Sequence, residues 1–144
     1  MSDVKPDPID SLTRYAPFSG LPHALRSALA PKLARVVLEQ GAVLFEKGAP
    51  LAGLYVVETG GLDIETGHAD LVSHRGPGDI MGERGLLRDG NALLTARASE
   101  PSDLIVIPRE SFLDLMEQSD EIARWFARAR PTAQGDDGPY ATGL

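Results

Sequence analysis

The segment from Ala34 to Ile107 constrains the fold more than any other feature of this sequence. Short β-branched runs such as "RVVL", "LYVVE" and "DLIVI" recur through it and are separated by turns that contain glycine. Runs this closely spaced predict strands, and they leave no room for the helices that parallel strands need as connections. The segment therefore predicts an antiparallel β-barrel or sandwich whose connections are hairpins.

Helical periodicity flanks this β region on both sides. Before it, apolar residues recur at three- and four-residue steps between Leu21 and Leu29, and the range Ile9–Tyr15 predicts a shorter helix upstream. After Pro108 the helical pattern returns twice, and Ser119 or Asp120 is available to cap the second of these helices. The predicted fold class is mainly β with flanking helices.

Length and composition allow one domain with tails. The chain has 144 residues and 42 % hydrophobic content, which is enough for one core. We expect a flexible segment over residues 1–8, one domain over residues 9–130, and a flexible tail over residues 131–144, which read "PTAQGDDGPYATGL". The beginning, "MSDVKPDPID", lacks the basic residues and the apolar stretch of a secretory signal, which predicts a cytoplasmic protein.

Composition argues against several classes of function. The chain carries 21 acidic and 14 basic residues, a formal net charge of -7, so we expect no nucleic acid partner and no membrane partner. It has no cysteine for disulfides or thiolate chemistry. His23, His68 and His74 are scattered without the spacing of metal ligands, and no catalytic motif such as G-x-S-x-G occurs. We therefore expect neither an enzyme nor a metal site.

One segment inside the β region breaks the alternation of the strands. The stretch "GERGLLRDG", which begins at Gly82, predicts one or two helical turns. The amino end of a helix offers free backbone N–H donors to an anion, and glycine lets a ligand approach the backbone closely. Glu83 cannot hold a phosphate by its charge, but its carboxylate can accept hydrogen bonds from the hydroxyls of a ligand. The segment is thus a candidate site for a small phosphorylated ligand.

The residues at these positions resemble the cyclic nucleotide-binding domain family. The likeness rests on "PF..LP" around Phe18, "G..LF.KG.....LYVVE.G" over Gly41–Gly60, "GPGD.MGE.GLL" over Gly76–Leu87, and "T.RA" from Thr95. It implies an eight-stranded antiparallel jelly-roll barrel, also called a double-stranded β-helix, with a short internal helix known as the phosphate-binding cassette. It further implies a regulatory role with cAMP or cGMP as ligand and no other cofactor.

The resemblance also implies ligand-binding roles for individual residues of the cassette. Gly82 and Gly85 match positions where the backbone approaches the phosphate and the sugar, and Glu83 matches the ligand of the ribose 2′-hydroxyl. Leu86 matches an apolar residue of the cassette. Leu93 matches the position whose backbone N–H helps to hold the phosphate.

The chain departs from the family pattern at one point that bears on affinity. The pattern continues with a proline and an arginine, which fall here at Asn91 and Ala92. That arginine is the charge partner of the cyclic phosphate, so Ala92 predicts a degenerate cassette with weak or altered nucleotide binding. Candidate substitutes are Arg84, Arg88 and Arg97, and Arg84 leads because it lies on the cassette. The open alternative is that the motif persists because the barrel needs its turn.

The last helix offers two roles for Trp125. An indole ring stacks well on a purine, so Trp125 is a candidate lid over the ligand. Its spacing with Ile122 and Phe126 equally suits packing against the barrel or a homodimer contact through the carboxy-terminal helices. The "DEIARWF" helix is also similar to amino-terminal sensor domains of bacterial proteins that continue into paired CBS modules and a nucleotidyltransferase.

Two functions of different classes remain after these arguments. The first is a ligand-sensing regulatory domain in which occupancy of the cassette biases the carboxy-terminal helices. The alternative is a ligand-free interaction or dimerisation module that keeps the fold. A transcription regulator cut before its DNA-binding module fits less well, because the chain is acidic and the stretch after Arg130 is polar.

Overall fold

The computed structural model describes residues 5–68 and 70–129. Within these residues eight strands form two four-stranded sheets, in which every pairing is antiparallel. The strand orders are β1-β8-β3-β6 and β2-β7-β4-β5. The predicted antiparallel jelly-roll barrel is confirmed. The strands are β1 Ala34–Leu38, β2 Val43–Phe45, β3 Gly53–Thr59, β4 Leu62–Glu65, β5 Leu71–Arg75, β6 Ile80–Met81, β7 Thr95–Ala98 and β8 Ser102–Pro108.

Helices flank the barrel as the sequence predicts. They are α1 Pro8–Leu12, α2 His23–Leu29, α3 Glu83–Arg88, α4 Arg109–Gln118 and α5 Asp120–Ala129. Helix α3 interrupts the β region between β6 and β7, where the break in alternation predicts it. The Oγ atom of Ser119 accepts a hydrogen bond from the N–H of Ile122 at 3.1 Å, so the predicted cap of α5 is confirmed. None of the helices described is long and apolar enough to cross a membrane.

The middle strands β3 and β8 form the centre of the core. Leu54, Val56, Leu104 and Ile105 are fully buried, and burial along β3 covers consecutive residues instead of every second one. Both faces of this strand are covered, because α1 and α4 contact it in addition to the residues of the barrel. This explains why "LYVVE" reads as a continuous apolar run.

An aromatic cluster attaches the carboxy-terminal helices to the barrel domain. Phe126 of α5 is 1 % exposed and meets the ring of Phe112 edge to face, with ring centroids 5.1 Å apart. The ring of Phe18 also lies near Phe126, with ring centroids 6.5 Å apart. Such tilted arrangements add to the stabilisation that burial of the rings provides. The prediction that the apolar face of the last helix packs inward is therefore confirmed for Phe126.

A partly buried polar cluster joins α1 to two strands. Two nitrogens of the Arg35 guanidinium donate to the two carboxylate oxygens of Glu58 at 2.7 Å each, and the Ser11 hydroxyl also donates to this carboxylate. Burial raises the pKa of Glu58, but the hydrogen bonds from Arg35 and Ser11 outweigh it and hold the pKa below its usual value. The cluster therefore favours the ionised carboxylate.

The amino-terminal segment also contacts the barrel. Lys5 forms an ion pair with Asp103, and the carbonyl of Pro6 accepts a hydrogen bond from Arg35 at 2.7 Å. The predicted tail over residues 131–144 and the first four residues lie outside the described residues. The domain boundaries and the flexibility of both ends stay predictions.

Candidate functional site

The residue before helix α3 is a glycine in a conformation that other residues rarely adopt. Gly82 has a φ of 97°, in the left-handed region where a side chain is strained. The N–H of Leu86 donates to the carbonyl of Gly82 at 3.0 Å, and the N–H of Gly90 donates to the carbonyl of Gly85 at 2.7 Å. The short helix is therefore closed at both ends by glycine-bearing turns.

The segment that follows α3 is held against the barrel by backbone hydrogen bonds. Ala92 donates its N–H to the carbonyl of Ala49 at 2.8 Å and accepts a hydrogen bond from the N–H of Gly48 at 2.7 Å. Leu51 likewise donates to the carbonyl of Gly90 at 2.8 Å. Ala92 itself is 4 % exposed. Ala92, where the resemblance places the arginine of the family pattern, is thus a small, buried residue in a paired stretch of backbone.

A cleft opens between α3 and the barrel. About 370 Å³ of empty space lies within it, a volume that includes space open to solvent. Much of its wall is apolar and comes from Phe45, Leu51, Ile64, Met81 and Leu94. Such a wall suits the flat apolar parts of a ligand, and the polar groups must come from elsewhere in the lining.

The structure brings most of the predicted ligand residues together at this cleft. Leu86 is not among the lining residues, because it is 3 % exposed and packs in the core. Glu83 is half-buried at the first position of α3 and is not among the lining residues either. The proposed ligand roles of all these residues stay predictions. Of the seven predicted residues, five line the cleft: Gly82, Arg84, Gly85, Ala92 and Leu93.

The candidate lid and two of the candidate cations lie elsewhere. Trp125 is half-buried, with its ring 5.0 Å from that of Phe126, and it is not among the lining residues. Arg88 is exposed and lies 3.4 Å from the carboxylate of Asp89. Arg97 pairs with Glu65 at 3.2 Å. Of the three substitutes that the sequence suggests, Arg84 is the one in the lining of the cleft.

The lining also contains a cation that the sequence analysis missed. Arg75 is the last residue of β5, where it stands opposite Leu62, and Ser73 stands opposite Ile64. Directly opposite side chains of neighbouring strands lie on the same face of a sheet. Because Leu62 and Ile64 are 0 % and 4 % exposed, this face is the interior one, and Arg75 is found in the lining of the cleft.

Comparison with known proteins identifies the family. The sequence model of the cyclic nucleotide-binding domain family matches residues 35–119, which is more than half of the chain. The chain therefore belongs to the cyclic nucleotide-binding domain family, and the resemblance found in the sequence is confirmed. Comparison with curated protein sequences finds no match.

Solved structures agree with this assignment. The sensor domain of the transcriptional regulator DNR from Pseudomonas aeruginosa is 21 % identical, with 83 % of this chain and 88 % of that chain covered and a TM-score of 0.75. A cyclic nucleotide-binding-like protein from Brucella abortus is 28 % identical, with coverage of 78 % and 99 % and a TM-score of 0.61.

The catabolite activator protein of Thermus thermophilus is also 28 % identical, with a TM-score of 0.66. The match covers 77 % of this chain and 54 % of that protein, so it spans about half of the length of the activator.

Proposed function

We propose that this chain is a cytoplasmic, non-enzymatic regulatory domain that senses a small phosphorylated ligand in the cleft beside α3. One observation carries the proposal: five residues of the predicted cassette line a single cleft inside the domain that defines the family. A ligand there touches α3 and the barrel at once. Occupancy can then shift the balance between arrangements of the elements that follow, provided that the ligand prefers one of them.

The proposed affinity for cyclic nucleotides is low, because Ala92 supplies no charge. Loss of one partner from a buried charge pair costs about 2 to 5 kcal/mol. At about 1.4 kcal/mol per tenfold, this weakens binding by about thirtyfold to several thousandfold. We therefore expect cAMP and cGMP to bind in the high micromolar to millimolar range. Ala92 is among the residues that line the cleft, so we expect an arginine placed there to reach the ligand.

The test introduces the missing charge. Ala92→Arg is expected to tighten cAMP binding by at least tenfold in calorimetry, because it restores a guanidinium beside the phosphate. Ala92→Met is the matched control, since it adds length without charge and is expected to give no gain. Glu83→Ala within the Ala92→Arg variant is expected to undo much of the gain. Tight cAMP binding by the wild type, or no gain from Ala92→Arg, would contradict the argument.

A ligand-free interaction module is the second candidate. One observation favours it. A Cβ on Gly85 would meet the carbonyl oxygen of Asn91 at 2.2 Å, so packing alone accounts for this glycine of the cassette motif. In that case the domain self-associates through α4 and α5, with the half-buried Trp125 at the contact. A thermal-shift screen with nucleotides and sedimentation velocity of Trp125→Ala separate the two candidates. Ligand-dependent stabilisation supports the sensor, and ligand-independent dimers lost in Trp125→Ala support the module.

A further inference from the structure

We propose that Arg109, the first residue of α4, is a positioning residue for the cleft. It holds the turn that follows α3, so that ligand binding and the attachment of α4 depend on each other. This inference rests on the proposed function of the cleft and names the contact through which that site is regulated. Arg109 lies outside the lining of the cleft and acts through Gly90.

The guanidinium group of Arg109 lies against the backbone of Gly90. A Cβ placed on Gly90 would meet the Nη1, Cζ and Nη2 atoms of Arg109 at 3.0, 3.3 and 3.5 Å. Because these three atoms of the planar group lie at similar distances from one point, the group turns its face to the glycine. Gly90 has a φ of 89°, so both its conformation and this close approach favour glycine.

Backbone hydrogen bonds connect the same two places by a second route. The N–H of Arg109 donates to the carbonyl of Ala52 at 3.2 Å. The N–H of Leu51, the residue before Ala52, donates to the carbonyl of Gly90 at 2.8 Å. Leu51 is also one of the residues that line the cleft. The start of α4 is therefore joined to the turn by a side-chain contact and by a backbone bridge.

The turn that Arg109 contacts borders the cleft directly. The N–H of Gly90 donates to the carbonyl of Gly85 at 2.7 Å, and Gly85 lines the cleft. Ala92, which follows the turn, lines the cleft as well. A displacement of the turn therefore moves a wall of the cleft. The side chain of Arg109 is exposed, so its substitution is expected to change this wall with little effect on the stability of the fold.

The connection acts in both directions. A ligand that prefers the turn as Arg109 holds it favours the attached start of α4, and detachment of α4 weakens the ligand by the same factor. Helix α4 also carries Phe112, whose ring contacts that of Phe126 in α5. The dependence on the ligand therefore extends to the last helix described.

The first test needs no ligand. Hydrogen exchange followed by NMR reports local opening at the amides of Leu51 and Ala92, which donate across the turn and beside it. Arg109→Ala is expected to speed exchange at both amides by about fivefold, while the midpoint of urea unfolding stays near that of wild type. Arg109→Lys keeps the charge but lacks the planar group, so it is expected to behave like the alanine variant. Arg124→Ala, which removes an exposed arginine of α5, is the matched control and is expected to change neither amide.

The second test uses cAMP as the probe and Ala92→Arg as the background, because that variant is expected to bind cAMP more tightly. Addition of Arg109→Ala is expected to weaken cAMP binding by about fivefold or more in calorimetry, and addition of Arg124→Ala to leave it unchanged. Unchanged amide exchange in Arg109→Ala, or equal cAMP affinity with and without it, overturns this inference and leaves the proposed function in place. Absence of cAMP binding in the Ala92→Arg background counts against the proposed function, and the exchange experiment without ligand still decides the inference.

Discussion

Two glycines of the cassette, Gly82 and Gly85, are needed for different physical reasons. Gly82 sits at a φ of 97° with the nearest atom to an added Cβ at 3.4 Å, so its requirement is conformational. Gly85 lies inside α3, and its requirement is steric, because a Cβ would meet the backbone of Asn91 and the side chain of Leu51. Residues that look like ligand contacts in the sequence therefore also serve the packing of the helix.

The steric requirement predicts the cost of a methyl group. Gly85→Ala is expected to destabilise the fold by about 1 to 3 kcal/mol in urea unfolding, because the Cβ would lie 2.2 Å from a backbone oxygen that must move. Gly76→Ala is the control, since its Cβ would meet nothing within 4 Å, and its effect is expected to be small. Equal stability of the two variants would show that the segment around Asn91 adjusts freely.

At the scale of elements, α5 is fixed by a cap and by its apolar face. Ser119 lies between α4 and α5, and its hydroxyl satisfies the N–H of Ile122, one of the donors that the first turn of a helix leaves without a partner. Ile122 and Phe126 are each 1 % exposed, so the same turn carries both the cap and the beginning of the buried face. Loss of the cap therefore affects the docking of the whole helix.

The cap gives a prediction with a conservative control. Ser119→Ala is expected to lower the free energy of unfolding by about 1 kcal/mol, because the N–H of Ile122 loses its acceptor. Ser119→Asp is expected to retain most of the stability, since a carboxylate also accepts this hydrogen bond and suits the positive end of the helix dipole. If the alanine variant unfolds at the same denaturant concentration as wild type, solvent replaces the cap without cost.

At the scale of the whole molecule, the cluster of Arg35, Glu58 and Ser11 ties the amino-terminal helix to both β1 and β3. The side chain of Glu58 is 8 % exposed, so its charge is compensated by these partners instead of by water. A carboxylate in this position links the folding of the chain to pH. The direction of this pH dependence is fixed, because the pKa of Glu58 in the folded state lies below its value in the unfolded state.

Stability is expected to fall with acid through this group. A carboxylate with a depressed pKa contributes stability above its unfolded pKa, near 4.5, and loses that contribution as the pH falls through its folded pKa. Wild type should therefore lose stability more steeply than Glu58→Gln as the pH falls from about 5 to about 3. Glu39→Gln, at an exposed position, should follow the wild-type curve. Parallel curves for wild type and Glu58→Gln would contradict the role of the cluster.

The sequence by itself determined the class of fold and the place of the cassette helix. Regular strand runs with glycine turns specify local hydrogen-bonding patterns, and the loss of alternation at Gly82 marks the helix, because both signals depend on neighbouring residues. The spacing of apolar residues in α5 is local in the same sense, so the burial of Phe126 is predictable. The family motifs also indicate which predicted strand or helix corresponds to which element of the family fold.

Only the tertiary structure decided which cations line the cleft. In "LVSHR" the alternation groups Ser73 with Arg75 and Val72 with His74, but it does not say which of the two pairs faces the cleft. The register of β5 against β4 decides the question, since it sets Arg75 opposite Leu62 and leaves His74 to pair with Asp63 at 2.9 Å outside. A shift of one residue would exchange the two faces, and strand pairing is a non-local contact that no local pattern specifies.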